Sequence, residues 1–149
     1  MQYDIRINHM DDAFEVRRRV FVEEQGFENE FDEIDDIATH ITMYNSDDEL
    51  IGCARTFPEG PDAPNWVLGR VSVLPEFRGQ GCATEIICAA EDIARELGAE
   101  VMRLHAQSYV VELYNKLGYM VVSSVDYADG GHPHVWMEKR LSATDRVAV

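Results

Sequence analysis

Between residues 71 and 84 the chain reads Val71-Ser72-Val73-Leu74-Pro75-Glu76-Phe77-Arg78-Gly79-Gln80-Gly81-Cys82-Ala83-Thr84. A β-like run ends at a proline, and closely spaced glycines then open a helical pattern. Glycine lets a backbone approach a ligand with no Cβ in the way. The free N–H groups that begin a helix, at the positive end of its dipole, suit a phosphate or diphosphate. Arg78 adds a fixed positive charge at the same end. The same residues could also make a tight strand-to-helix turn with no ligand at all. A nucleoside-triphosphate loop is excluded, because no Lys follows either glycine as G-x-x-x-x-G-K-[ST] requires. A dinucleotide fingerprint fails at Thr84, where a third glycine belongs. It fails again at His105-Ala106-Gln107, where a ribose-binding acid would stand.

Other chemistry-bearing residues are scattered. Eight acids lie between residues 23 and 36: Glu23, Glu24, Glu28, Glu30, Asp32, Glu33, Asp35 and Asp36. They read either as a solvated face or as the lining of a cleft that gathers cationic amines. His132 and His134 flank Pro133 near Asp129, too few ligands to specify a metal. Arg17, Arg18 and Arg19 face different sides of a helix and read as surface ion-pair partners. Cys82 begins a helix, which lowers a thiol pKa, but it has no evident His partner.

The elements that must position these residues follow from periodicity. A strand is expected over 3–8, then a helix capped by Asp11 or Asp12 and stopped at Gly26. Strands 38–44 and 50–57 flank Asn45-Ser46-Asp47-Asp48 as an antiparallel hairpin. Strand 66–74 leads to a helix over 81–97, whose apolar positions Ala83, Ile86, Ile87, Ala90, Ile93, Ala94 and Leu97 keep one buried face. After strand 101–106, Ser108 caps a short helix through 117 that carries Val110, Leu113, Tyr114 and Leu117 on one side. Strands 119–125 and 134–141, joined by Asp129-Gly130-Gly131, close the fold. This predicts an α/β chain with a mixed sheet: a single domain over 1–141 and a short tail over 142–149.

Composition sets the limits. The chain has 149 residues, with 13 Lys+Arg against 28 Asp+Glu and a formal charge of −15. Such a balance argues against non-specific binding to nucleic acid or anionic membranes, which needs clustered Lys and Arg. Cys53, Cys82 and Cys88 make no disulfide framework. There is no apolar run of about 18 residues, and the N-terminus lacks the order of a secretory signal. A reduced, cytoplasmic protein is expected.

Arg78-Gly79-Gln80-Gly81-Cys82-Ala83 matches every fixed position of [Q/R]-x-x-G-x-[G/A], and the chain resembles the GNAT superfamily of acetyl-CoA-dependent N-acetyltransferases that carries this signature. Val71-Ser72-Val73-Leu74-Pro75 resembles that family's fourth strand, and Leu113-Tyr114-Asn115-Lys116-Leu117-Gly118-Tyr119 its later (F/L)-Y-x-K-x-G-(F/Y) motif. Residues 16–25, Val16-Arg17-Arg18-Arg19-Val20-Phe21-Val22-Glu23-Glu24-Gln25, and Leu104-His105-Ala106-Gln107 are similar to the ElaA/YjcF-like branch. The resemblance implies a mostly antiparallel sheet of about seven strands flanked by helices. It implies acetyl-CoA bound where the fourth and fifth strands splay apart, and no metal. The N–H groups of Gly79, Gln80, Gly81, Cys82, Ala83 and Thr84 would hold the pyrophosphate. The backbone of Val71, Ser72 and Val73 would pair with the pantetheine arm, and an N–H near Val73 would polarise the thioester carbonyl.

Within the same resemblance, Tyr114 would protonate the departing thiolate. A phenol's reference pKa of about 10 lies above a thiol's roughly 8.5, so it donates only as charge develops on sulfur. Tyr114 also reads as a core aromatic on the helix's buried face, and the two roles are compatible. A primary amine, with a pKa of about 10.4, must lose a proton before it can attack. Glu23, Glu24 and His40 are candidates beside the acceptor, with Glu76 near the motif. Each also reads as structural: the acids solvated, His40 satisfied within its strand. The acceptor would be a small-molecule or peptidyl amine, and unpaired edge strands leave a homodimer open. Two other classes remain: a non-catalytic acyl-CoA-binding domain, and a dinucleotide-binding oxidoreductase disfavoured at Thr84.

Overall fold

The computed structural model describes residues 2–28, 30–61, 64–127 and 131–141. Among these residues seven strands form one sheet: β1 (Asp4–Ile7), β2 (Thr39–Tyr44), β3 (Leu50–Pro58), β4 (Asn65–Val73), β5 (Val101–Gln107), β6 (Met120–Val121) and β7 (His134–Arg140). Their order is β1-β2-β3-β4-β5-β7-β6. Neighbouring strands are antiparallel except β4 and β5, which run parallel. A parallel pair needs a crossover, and helix α2 (Cys82–Glu96) supplies it, burying Cys82, Ile86, Ile87, Ala90 and Ala94. The alternation expected for a hairpin at 38–57 is met by the β2–β3 pairing.

The opposite face is covered by α1 (Met10–Arg17) and its continuation, a π-helical segment over Arg18–Glu24. Ala13, Val16, Val20 and Phe21 pack there on Cys53 and Leu74. Gly52 shows how closely the α2 face is packed: a Cβ on it would lie 2.4 Å from the Ser72 carbonyl oxygen and 2.8 Å from Ile86 Cδ1. A short helix, α3 (Val111–Lys116), follows β5.

One irregularity shapes the site. The β4–β5 ladder runs from Asn65 opposite Val101 to Leu68 opposite Leu104, and stops there. On the other side of β4, Ser72 faces Cys53 and Gly69 faces Arg55, so Arg70 and Val71 share the single partner position of Ala54. This is a β-bulge, and Arg70 sits in it at φ +53°. A bulge bends its strand and ends regular pairing. Past Leu68, β4 leaves β5 and a gap opens in the sheet.

Several boundaries differ from expectation. The first helix is capped at His9, not Asp11 or Asp12, and makes no side-chain cap bond. Its second half widens into the π form, and Gly26 at φ +75° ends it as expected. Ser108 does not cap α3: its hydroxyl donates to the Pro133 carbonyl at 3.3 Å, and a 3₁₀ turn over Ser108–Val110 intervenes. The strand expected over 119–125 shortens to β6 because Ser123 Oγ takes the Trp136 N–H at 2.9 Å, interrupting the ladder. Pairing returns only as a bridge between Asp126 and His134. Residues 142–149, together with Asp129 and Gly130 of the expected turn, lie outside the described residues.

Candidate active site

Where β4 and β5 part, a cavity of about 710 Å³ opens. Its wall on the α2 side comes from the glycine-rich loop. Gly79 and Gly81 both adopt φ +79°, and a Cβ on either would meet nothing within 4 Å. The left-handed turn therefore requires glycine, while the space beside it stays open. Gly81 is the N-cap of α2, and no side chain among the described residues caps that helix. The first-turn N–H groups, which have no intrahelical acceptor, remain available beside Cys82, Ala83 and Thr84, all of which line the cavity. These residues fit an anionic guest. Arg78 Nε donates to the Val73 carbonyl at 2.9 Å, and its two Nη atoms donate to the Glu24 carboxylate at 2.7 Å each. The guanidinium thus ties the loop to the π-helical segment, and its hydrogen bond holds Glu24 below the usual carboxylate range.

Tyr114 lines the same cavity from α3 and is otherwise buried. Its ring meets Tyr119 edge-on at 5.7 Å. Its hydroxyl has no hydrogen-bond partner among the described residues. Burial, then the nearby Tyr109, raises its pKa, so the phenol is protonated in the resting site.

The wall on the α1 side combines four segments. Alternation along β5 puts Leu104 and Ala106 in the α2-side core and turns His105 and Gln107 the other way. The β5–β7 register sets Gln107 opposite His134 and His105 opposite Trp136. The His105 ring stacks between His134 at 4.7 Å and Trp136 at 4.8 Å, and its Nε2 lies 2.9 Å from an Asp126 oxygen. Gln25 accepts from Gln107 Nε2 at 3.1 Å and donates to Tyr109 at 3.4 Å, a strut from the π segment to the end of β5. The two runs that carried the branch resemblance, 16–25 and 104–107, therefore meet across the cleft.

Below the bulge lies a buried ion cluster. Arg17 Nε donates to Glu30 at 2.9 Å, and Arg17 Nη1 to Asp35 at 2.7 Å. Arg55 Nη1 donates to Asp32 at 2.7 Å and to Asp35 at 2.8 Å. Arg70 Nε sits 2.7 Å from Glu30, and its Nη2 donates to the Glu30 carbonyl at 3.0 Å. Burial alone would raise Asp35, but the arginines and the Asp32 N–H outweigh it and hold the carboxyl at about 2. Glu30 goes the other way: burial raises it further than Arg70 and Arg17 lower it.

This cluster corrects two expectations. Arg17 is not a surface partner, being 1% exposed, whereas Arg18 and Arg19 do pair at the surface with Glu15, Glu23 and Glu76. The acidic run is not simply a solvated face or an unopposed cation trap, since Glu30, Asp32 and Asp35 are matched by arginines.

The cavity brings together Val71, Val73, Arg78, Gly79, Gly81, Cys82, Ala83, Thr84, Glu24 and Tyr114. Ser72 does not line it, because strand alternation buries its side chain against Cys53 Sγ at 3.4 Å. Gln80 lies in the exposed loop without lining the cavity. Glu23 is exposed and paired with Arg18. His40 is buried away from the cleft, its Nε2 2.9 Å from the Asp35 carbonyl and its ring against Phe14. Among the described residues no three His, Cys, Asp or Glu side chains group as a metal site. His105 and His134 were not singled out as cleft residues by sequence. Their same-face spacing on two strands was visible, but the register joining them was not.

The fold and cleft define an acyl-CoA N-acyltransferase architecture. Residues 7–119 match the acetyltransferase (GNAT) family, and the chain belongs to it. It is 36% identical over 133 residues to the N-acetyltransferase YjcF of Bacillus subtilis, covering 87% of this chain and 91% of that protein. Escherichia coli ElaA superposes with a TM-score of 0.79 at 24% identity, over 93% of this chain and 99% of ElaA. A Bacillus subtilis acetyltransferase in complex with CoA superposes with a TM-score of 0.77 at 14% identity, over 95% and 100% of the two chains. No helix among the described residues is long and apolar enough to cross a membrane.

Proposed function

We propose that residues 1–141 form one N-acetyltransferase domain that moves the acetyl group of acetyl-CoA to a primary amine by direct attack in a ternary complex. The observation that carries this reading is the uncapped first turn of α2 beside Gly79 and Gly81, opening on the gap where β4 loses β5 as a partner. A diphosphate fits the N–H groups of residues 79–84. The unpaired β4 edge over 69–73 fits the amide-bearing arm of the carrier as an added strand. A similar fold has been solved with CoA bound.

In this geometry an N–H near Val73 polarises the thioester carbonyl as it becomes an oxyanion; removing one such donor typically costs on the order of 10²–10³ in rate. The amine nitrogen bonds to the carbonyl carbon, the C–S bond breaks, and Tyr114 gives its proton to sulfur. Glu24 is a poor proton acceptor for the amine because Arg78 holds it ionised. The acceptor is a small-molecule or peptidyl amine.

The competing class is an acyl-CoA-binding domain without turnover. Two measurements separate them. Acetyl-CoA should raise the melting temperature while NAD and ATP do not, and CoA should be released when an amine is supplied. Tyr114→Phe should bind acetyl-CoA normally and lose turnover. Unchanged turnover in that variant removes Tyr114 from the chemistry, and absence of acetyl-CoA stabilisation removes the reading altogether.

A further inference from the structure

We propose that His134 is the base that takes the acceptor amine's proton. This rests on the acetyl-transfer reading above and extends it to a residue the family signature does not reach. His134 is 4% exposed and lines the cleft at the first residue of β7. Its Nδ1 lies 2.7 Å from the His132 carbonyl oxygen. A carbonyl oxygen only accepts, so Nδ1 carries the hydrogen, and in the neutral ring the lone pair stands on Nε2. Nε2 has no hydrogen bond among the described residues, and it is not one of the buried polar atoms sealed from solvent. The ring lines the cavity, and in the proposed role this lone pair faces into it.

The ring is also held in place. One face stacks on His105, which is in turn backed by Trp136 and bonded to Asp126. Fixed tautomer, fixed plane and one open nitrogen are what a proton acceptor needs. Apart from Glu28, the charged groups lining the cleft are committed to partners. Glu24 pairs with Arg78, and Glu30 with Arg17 and Arg70. Arg55 pairs with Asp32 and Asp35, and Glu28 lies on the exposed rim. The amine attacks as its free base, its ammonium proton having gone to solvent; as its nitrogen bonds to the thioester carbon, the remaining surplus N–H proton passes to Nε2. Collapse breaks C–S, the thiolate takes the Tyr114 proton, and the imidazolium proton returns through water to the phenolate. Amide and free thiol are the products, and both side chains are restored.

The test uses His134→Asn, whose side-chain amide can still donate to the His132 carbonyl but offers no Nε2. Spermidine, phenethylamine and lysine serve as acceptor probes. The variant should keep its melting temperature, its acetyl-CoA-induced shift and its KM for acetyl-CoA. It should lose roughly 10²–10⁴-fold in kcat, as removal of a general base does, together with the acidic limb of the pH–rate profile. A variant as fast as wild type with the same profile overturns the proposal and leaves acetyl transfer standing. Wild type that fails to bind acetyl-CoA removes both. Independently of any acceptor, ¹⁵N NMR of the neutral His134 ring should show the Nδ1–H tautomer; the Nε2–H form overturns the proposal.

Discussion

Two polar regions border the same cleft and behave oppositely. In the ion cluster, Arg17, Arg55 and Arg70 face Glu30, Asp32 and Asp35, so that each charge has an opposite charge within contact. Elsewhere along the cleft, His134 spends one nitrogen on a carbonyl and leaves the other open, and the Tyr114 hydroxyl has no partner among the described residues. Charge near a cavity is thus no guide to reactivity. The charge-dense region is saturated and acts as a floor, while the nearly neutral one keeps a free lone pair and a free proton. Substitution should separate them: changes in the floor move stability, and changes on the wall move rate.

The largest effect is expected for Arg17→Met, which leaves Glu30 and Asp35 buried without their shared partner. Breaking a buried pair this way costs about 3–5 kcal/mol, read as a lowered urea midpoint; a loss below about 1 kcal/mol would show that the cluster is not the floor. Tyr114→Phe should cost about 10²–10⁴-fold in kcat with little change in melting temperature, because the hydroxyl has no hydrogen-bond partner among the described residues. A large drop in stability instead would make the tyrosine structural. The cluster should also titrate. Asp35 is held at about 2, below its ordinary 3.8, so the unfolded chain binds the extra proton. Stability should fall as pH drops from about 5 towards 2, and Asp35→Asn should flatten that limb. Glu30, shifted the other way, opposes this trend nearer its ordinary range. Gly81→Ala puts a Cβ on a φ of +79° and should cost about 1–2 kcal/mol, with weaker acetyl-CoA binding. Smallest of all, Glu23→Gln removes an exposed pair with Arg18 and should stay within about 0.5 kcal/mol of wild type, with turnover unchanged.

What could be read ahead of the structure follows the same division. The loop at 78–84 is contiguous and made of backbone, so glycine spacing alone announced it. The strands and α2 were legible because burial on one face repeats at a fixed period. Arg17 was misread because its partners Glu30 and Asp35 come from a segment with no periodicity, and burial of a charge is decided by them. His134 reads in sequence only as half of a weak metal pair with His132, because its place in the cleft depends on β7 lying beside β5 with Gln107 opposite, a register that composition does not encode. His40 illustrates the converse: a titratable residue on a strand is fixed to a face, and this one faces the floor.

The bulge at Arg70 joins the two regions. A non-glycine residue at φ +53° is held against its own preference, and here Glu30 grips the side chain that would otherwise let the backbone relax. The salt-bridged floor thus holds the bulged residue of β4 beside the point where that strand loses β5. A substitution that weakens the floor should therefore be felt at the mouth of the cleft as well as in the core.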